Sequence, residues 1–90
     1  MNNYSPKNLI TITGFILATD FSRHGKVMEI ALETDDFRQY IVTPNQKGKE
    51  LYDLLYSKVT VHGFISGEDS QGNLIIKVDE YEIKNRVPYI

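Results

Sequence analysis

Chemistry in this chain would have to come from two histidines, His24 and His62, and two adjacent carboxylate pairs, Asp35-Asp36 and Glu68-Asp69. Catalytic zinc typically needs about three converging protein ligands, and neither histidine has an Asp or Glu at a recognisable ligand spacing. His62 stands in a strand-like stretch and His24 in a turn-like one, so both read as ordinary surface histidines. Acid–base work by paired carboxylates requires a water-shielded cleft that drives their two pKa values apart. Both pairs fall instead where hairpin turns are expected, and Asp is common there because its side chain bonds the local backbone. The chain has no cysteine, which removes disulfides, thiolate zinc sites and thiol nucleophiles. No glycine-rich phosphate loop, nucleophile elbow or HExxH pattern occurs. The expectation is a non-enzyme with no metal and no cofactor.

The elements that would carry these residues are mostly strands. Residues 9–17 are β-branched and aromatic and alternate around Gly14. A turn-like stretch follows over 20–25. Residues 26–34 alternate, with Met28, Ile30 and Leu32 on one face and Glu29 and Glu33 on the other. Asp35-Asp36 is a turn, and 38–43 is a third strand that forms a hairpin with the second. The run 44–48 breaks the pattern. A short helix is predicted over 49–56, because Leu51, Leu54 and Leu55 keep the i, i+3, i+4 spacing of one apolar stripe. Residues 59–65 and 74–83 are the fourth and fifth strands, separated by a polar loop over 67–73 that contains Gly67 and Gly72.

The chain's 90 residues suit one domain, with a core over 9–83, an N-terminal arm at 1–8 and a C-terminal tail at 84–90. The arm lacks a basic segment and an apolar stretch, so it is not expected to be a signal peptide. No apolar run approaches a membrane span, and a cytoplasmic protein is expected. The net charge is −2. Dedicated nucleic-acid domains tend to be basic, because neutralising phosphates supplies most of their affinity. An acidic total therefore weighs against tight, non-specific binding and leaves room for a local basic patch.

One internal echo stands out. Ile10-Thr11-Ile12-Thr13-Gly14-Phe15-Ile16 matches Val59-Thr60-Val61-His62-Gly63-Phe64-Ile65 almost position for position. The intervening segments differ too much for a tandem repeat. Both strands are read as putting alternate aliphatics into a barrel and then bending, with glycine bearing the unusual φ of a bulge. Phe15 and Phe64 then either plug the barrel or stand outside it as an apolar patch.

The order strand–strand–strand–helix–strand–strand, with a glycine late in the first and fourth strands, resembles the oligonucleotide/oligosaccharide-binding (OB) fold. The residues that carry it are Ile10–Ile16, Gly25, Leu51-Tyr52-Asp53-Leu54-Leu55 before Val59–Gly63, and Ile75–Ile83. Within that fold the chain most resembles the anticodon-binding type found in class II aminoacyl-tRNA synthetases and related repair and replication proteins. The resemblance implies an all-β, five-stranded Greek-key barrel with one short helix. It also implies that single-stranded nucleic acid lies across strands two and three, between the first and last hairpin loops. On that basis the contacts would be Phe21, Arg23, His24, Lys26, Arg38 and Tyr40. An aromatic with basic neighbours can stack a base and hold its phosphate. Strand three would present either Arg38 and Tyr40 or, in the opposite register, Gln39 and Ile41, since a one-residue slip exchanges the faces. The expected function is a non-catalytic binding module for single-stranded DNA or RNA. The alternative is a protein-interaction module that docks a partner or a second copy through the barrel edge, the phenylalanine pair or residues 87–90.

Overall fold

The computed structural model describes residues 9–87. They form five strands, β1 (Ile10–Phe21), β2 (Val27–Glu33), β3 (Gln39–Val42), β4 (Lys58–Glu68) and β5 (Leu74–Asn85). A one-turn helix α1 (Gln46–Glu50) and a 3-10 turn (Leu51–Leu54) lie between β3 and β4. The strands close into a barrel in the order β1-β2-β3-β5-β4. All pairs are antiparallel except β3 with β5, which is parallel. This is the expected five-stranded, OB-like all-β barrel with one short helix. Among the described residues, no helix is long and apolar enough to cross a membrane.

Period-two burial explains the wall. On β1, Ile12 and Ile16 point into a core shared with Ile30 and Leu32 of β2, Val59 and Val61 of β4, and Ile76 and Val78 of β5. Burying each such side chain fully contributes about 1.5–3 kcal/mol. Met28 departs from the expected face and is 53% exposed. It has no partner in the register and lies opposite the irregular stretch of β1 from Ala18 to Phe21, where the pairing shifts twice. The helix also differs from its predicted span of 49–56. It begins earlier because Asn45 caps it, accepting the Gly48 N–H at 2.8 Å through its side-chain oxygen. The same side chain donates to the Val78 carbonyl at 3.0 Å and so ties the helix start to β5. Leu51 and Leu54 are three apart, which suits a 3-10 turn, and both are buried.

The twin segments prove to be each other's partners. In the antiparallel register Ile10 opposes Gly63, Thr11 opposes His62, Ile12 opposes Val61, Thr13 opposes Thr60, and Gly14 opposes Val59. Each segment therefore meets the other head to tail, as a local two-fold axis would require. At Gly14, β1 passes from β4 to β2, and a side-chain carbon there would lie 2.4 Å from the Glu33 carbonyl oxygen. At Gly63, next to a register shift against β5, such a carbon would lie 2.2 Å from the Lys77 oxygen. Neither glycine is among the positive-φ residues. The corners are where they were expected, but the reason is close backbone approach rather than unusual φ. Gly14→Ala and Gly63→Ala are each expected to lower the unfolding free energy by about 1–3 kcal/mol, the range for overpacking. The measurement is the urea midpoint at unchanged slope, and an unmoved midpoint in both variants would contradict the close-packing argument.

Candidate nucleic-acid interface

The β1–β2 hairpin is built by Ser22. Its hydroxyl oxygen accepts the Lys26 N–H at 3.0 Å and the His24 N–H at 3.3 Å. Its own N–H donates to the Lys26 carbonyl at 2.8 Å. The turn therefore closes on backbone and one serine, and leaves Arg23, His24 and Lys26 exposed at the tip. Phe21 opposes Val27 in the register and is 56% exposed. No ion pair among the described residues engages Arg23 or Lys26. The structure thus brings Phe21, Arg23, His24 and Lys26 together as one projecting basic and aromatic element.

A groove of about 320 Å³ runs beside this hairpin, lined by Lys26, Val27, Met28, Pro44, Lys49 and Tyr52. The Tyr52 hydroxyl donates to the Met28 carbonyl at 3.4 Å, which links the 3-10 turn to the start of β2. Partial burial, with Glu29 nearby, raises the Tyr52 pKa above the ordinary tyrosine value. Glu29 itself accepts a 2.7 Å hydrogen bond from Thr19. Sequence spacing did not single out Lys49, Met28 and Tyr52 as neighbours of Lys26, because the groove forms only where the 3-10 turn reaches the start of β2 through Tyr52.

Arg38 and Tyr40 do not join this cluster. They sit near the other end of β2, about 20 Å away for six residues of extended strand. Tyr40 requires a correction. Its ring is 9% exposed and belongs to the core cluster with Val42, so it is not available to stack a base. Its hydroxyl reaches the exposed Arg38, and this contact is the main cause that raises the Arg38 pKa above its usual value. The opposite register offers no better face, since Ile41 is buried too and of Gln39 and Ile41 only Gln39 is partly open. Across these strands Leu17, Ala31, Ile41 and Ile75 fall on one row, in which Ala31 and Ile41 are buried and the other two half-buried. That row is aliphatic rather than basic, and Glu29 and Glu33 flank it on β2.

His62 is less isolated than its spacing implied. Its Nδ1 lies 3.0 Å from the Thr11 hydroxyl and its Nε2 lies 3.1 Å from a Glu82 oxygen. Lys84 reaches the other Glu82 oxygen at 3.4 Å. Among the described residues, no three His, Asp or Glu side chains group to hold a metal ion. Phe15 and Phe64 both point outward on the twin strands, about 20 Å apart by register. Phe15 is 39% exposed, with the Lys58 ammonium 5.9 Å from its ring centre.

Compared with known proteins, the chain matches no family model and no curated protein sequence. The fold and its surface therefore define the class on their own, a small OB-like closed barrel with a basic hairpin at one end.

The opposite end is organised by Asp69. Its carboxylate accepts the N–H groups of Asn73 at 2.8 Å and Gln71 at 2.9 Å, and the Asn73 side-chain amide at 3.2 Å. These bonds, the Asn73 backbone N–H foremost, hold Asp69 below the usual carboxylate range. A lowered folded pKa means that the contribution to the loop is full above the unfolded value of about 3.9 and is lost as pH falls through the lower folded value. The amide chemical shifts of Gln71 and Asn73 are expected to titrate together, with a midpoint below about 3.9. A midpoint at or above that value would remove the carboxylate from its place in the loop.

Proposed function

We propose that this protein is a non-catalytic module that binds single-stranded nucleic acid, DNA or RNA, through the β1–β2 hairpin and the groove beside it. The observation that carries this reading is the convergence of Lys26 and Lys49 on one groove with Met28 and Tyr52, next to the exposed Phe21. Cations at the rim meet phosphates, while exposed aromatic faces stack bases without regard to sequence. The net charge of −2 fits a local patch rather than a uniformly basic surface. The likeness to the anticodon-binding type of OB domain supports an RNA ligand, and the lack of cysteine suits a reducing compartment such as the cytoplasm.

A second reading has an observation of its own. Phe15 of β1 and Ile83 of β5 both stand exposed, on either side of the start of β4. Such a surface suits a protein partner or a second copy of the chain. Of the tail invoked for this role, Val87 is exposed and its N–H donates to the Ser57 hydroxyl at 3.0 Å. Residues 88–90 and the arm at 1–8 lie outside the described residues.

Fluorescence anisotropy with a labelled unstructured 15-mer separates the two. Binding is expected to weaken steeply with salt. Arg23→Glu combined with Lys26→Glu should lower affinity at least tenfold and flatten the log–log salt slope by about 0.7 for each phosphate that is no longer neutralised. Unchanged affinity in the double variant would sink the hairpin assignment. A dimer in sedimentation with no oligonucleotide binding at low salt would favour the second reading.

A further inference from the structure

The most exposed large hydrophobic side chain in the described chain is Phe37, at 82%. Its backbone is also unusual, with φ at 63° in the left-handed region. It closes the β2–β3 hairpin, where its N–H donates to the Thr34 carbonyl at 2.9 Å and the Thr34 N–H donates to the Arg38 carbonyl at 2.9 Å. A hairpin of this form asks for glycine or asparagine at that position, because a side-chain carbon crowds the backbone there. A bulky residue in such a place normally recovers the strain by packing. Phe37 does not pack. Strain retained without a structural return points to binding.

A groove of about 310 Å³ opens beside Phe37, between the β2–β3 hairpin and the β4–β5 loop. That volume is at the small end of the range for ligand pockets, roughly 300–1,000 Å³. Arg38, Gln39, Asn73 and Leu74 contribute to its walls. The amide nitrogen of Gln39 is directed to Glu33 at 3.4 Å and that of Asn73 to Asp69 at 3.2 Å. Each amide is therefore oriented by a neighbouring carboxylate, a geometry suited to reading hydrogen-bond edges. Arg38 is the one charged residue of the lining, and the carboxylates of Glu33, Asp36 and Asp69 stand next to Gln39, Arg38 and Asn73. Such a site repels a phosphate and accepts a neutral, flat, hydrogen-bonding ring. Phosphate contacts position a strand, whereas base contacts specify it.

We infer that this groove is a base-reading station for one unpaired nucleobase, with Phe37 as the stacking surface and Arg38, Gln39 and Asn73 as edge contacts. The inference rests on the nucleic-acid reading above and adds a second contact, to a base rather than to phosphates, at the far end of β2 from the hairpin. The station supplies selectivity among bases, and the hairpin supplies salt-dependent attraction.

The test compares the wild type, Phe37→Gly, Phe37→Trp and the Arg23→Glu/Lys26→Glu double variant on labelled 12-mers of differing base composition across a salt series. Phe37→Gly is expected to raise Tm, since glycine suits the backbone there, and to weaken binding to the preferred composition about tenfold, within the range for losing one stacked base. Its salt slope should equal that of the wild type, because the same phosphates stay neutralised. Phe37→Trp should retain affinity. If Phe37→Gly leaves affinity unchanged while the double variant still loses it, the station is wrong and the nucleic-acid reading stands. A flatter salt slope or a lower Tm in Phe37→Gly would also overturn the station. A wild type that binds no strand at low salt removes both.

Discussion

The barrel depends on one contact, the antiparallel meeting of β1 and β4 through two near-identical segments. Because the pairing is head to tail, each glycine comes to rest opposite the first aliphatic of the other segment. Each strand can then leave its twin and press against a third strand, Glu33 of β2 on one side and Lys77 of β5 on the other. A sheet this short closes only if its strands coil sharply, and a methyl group at either corner would hold the neighbours apart. The outer side of the same contact is polar, with Thr13 and Thr60 hydroxyls 2.7 Å apart and Thr11 bonded to His62. Hydrophobic burial on one face and hydrogen bonding on the other thus fix a single register.

That closure sets where ligand-facing groups can appear. The interior is filled with side chains, so nothing enters the barrel, and recognition is left to its ends and its outer wall. Basic residues gather at the β1–β2 hairpin. The opposite end carries Phe37, Arg38 and a loop stiffened by Asp69. Between them Ala31 and Ile41 are buried, and two glutamates of β2 are held by Thr19 and Gln39.

The strands and the apolar helix stripe were legible in the sequence because period-two and period-three burial each demand repeated residue types at fixed spacing. The twin segments were visible as twins, but their pairing was not, since antiparallel register is a property of the closed sheet. Alternation on β3 fits either face, and only the core around Val42 decides that Tyr40 lies inside. The Glu82 partner of His62 sits on another strand and arrives diagonally across the β4–β5 ladder. The cap made by Asn45 is masked in the sequence because Gly48 reads as a breaker. Of the candidate site, the hairpin residues declared themselves by type. Lys49 and Tyr52 did not, because they become neighbours of Lys26 only once the 3-10 turn has met the start of β2.

The parallel seam between β3 and β5 has a kinetic consequence. It is short, with Tyr40, Ile41 and Val42 opposite Leu74, Ile75 and Ile76, plus one further bond from the Thr43 N–H to the Ile76 carbonyl at 2.9 Å. Parallel pairs are slightly weaker per residue than antiparallel ones, and this one has few residues to share the cost of closing the chain between β3 and β5. With three paired residues it is expected to open before the longer β1–β4 and β4–β5 ladders do. Anything seated between the β2–β3 and β4–β5 loops lies across that seam like a clasp. Occupancy and closure are then thermodynamically linked, and a bound barrel would be stiffer than an empty one.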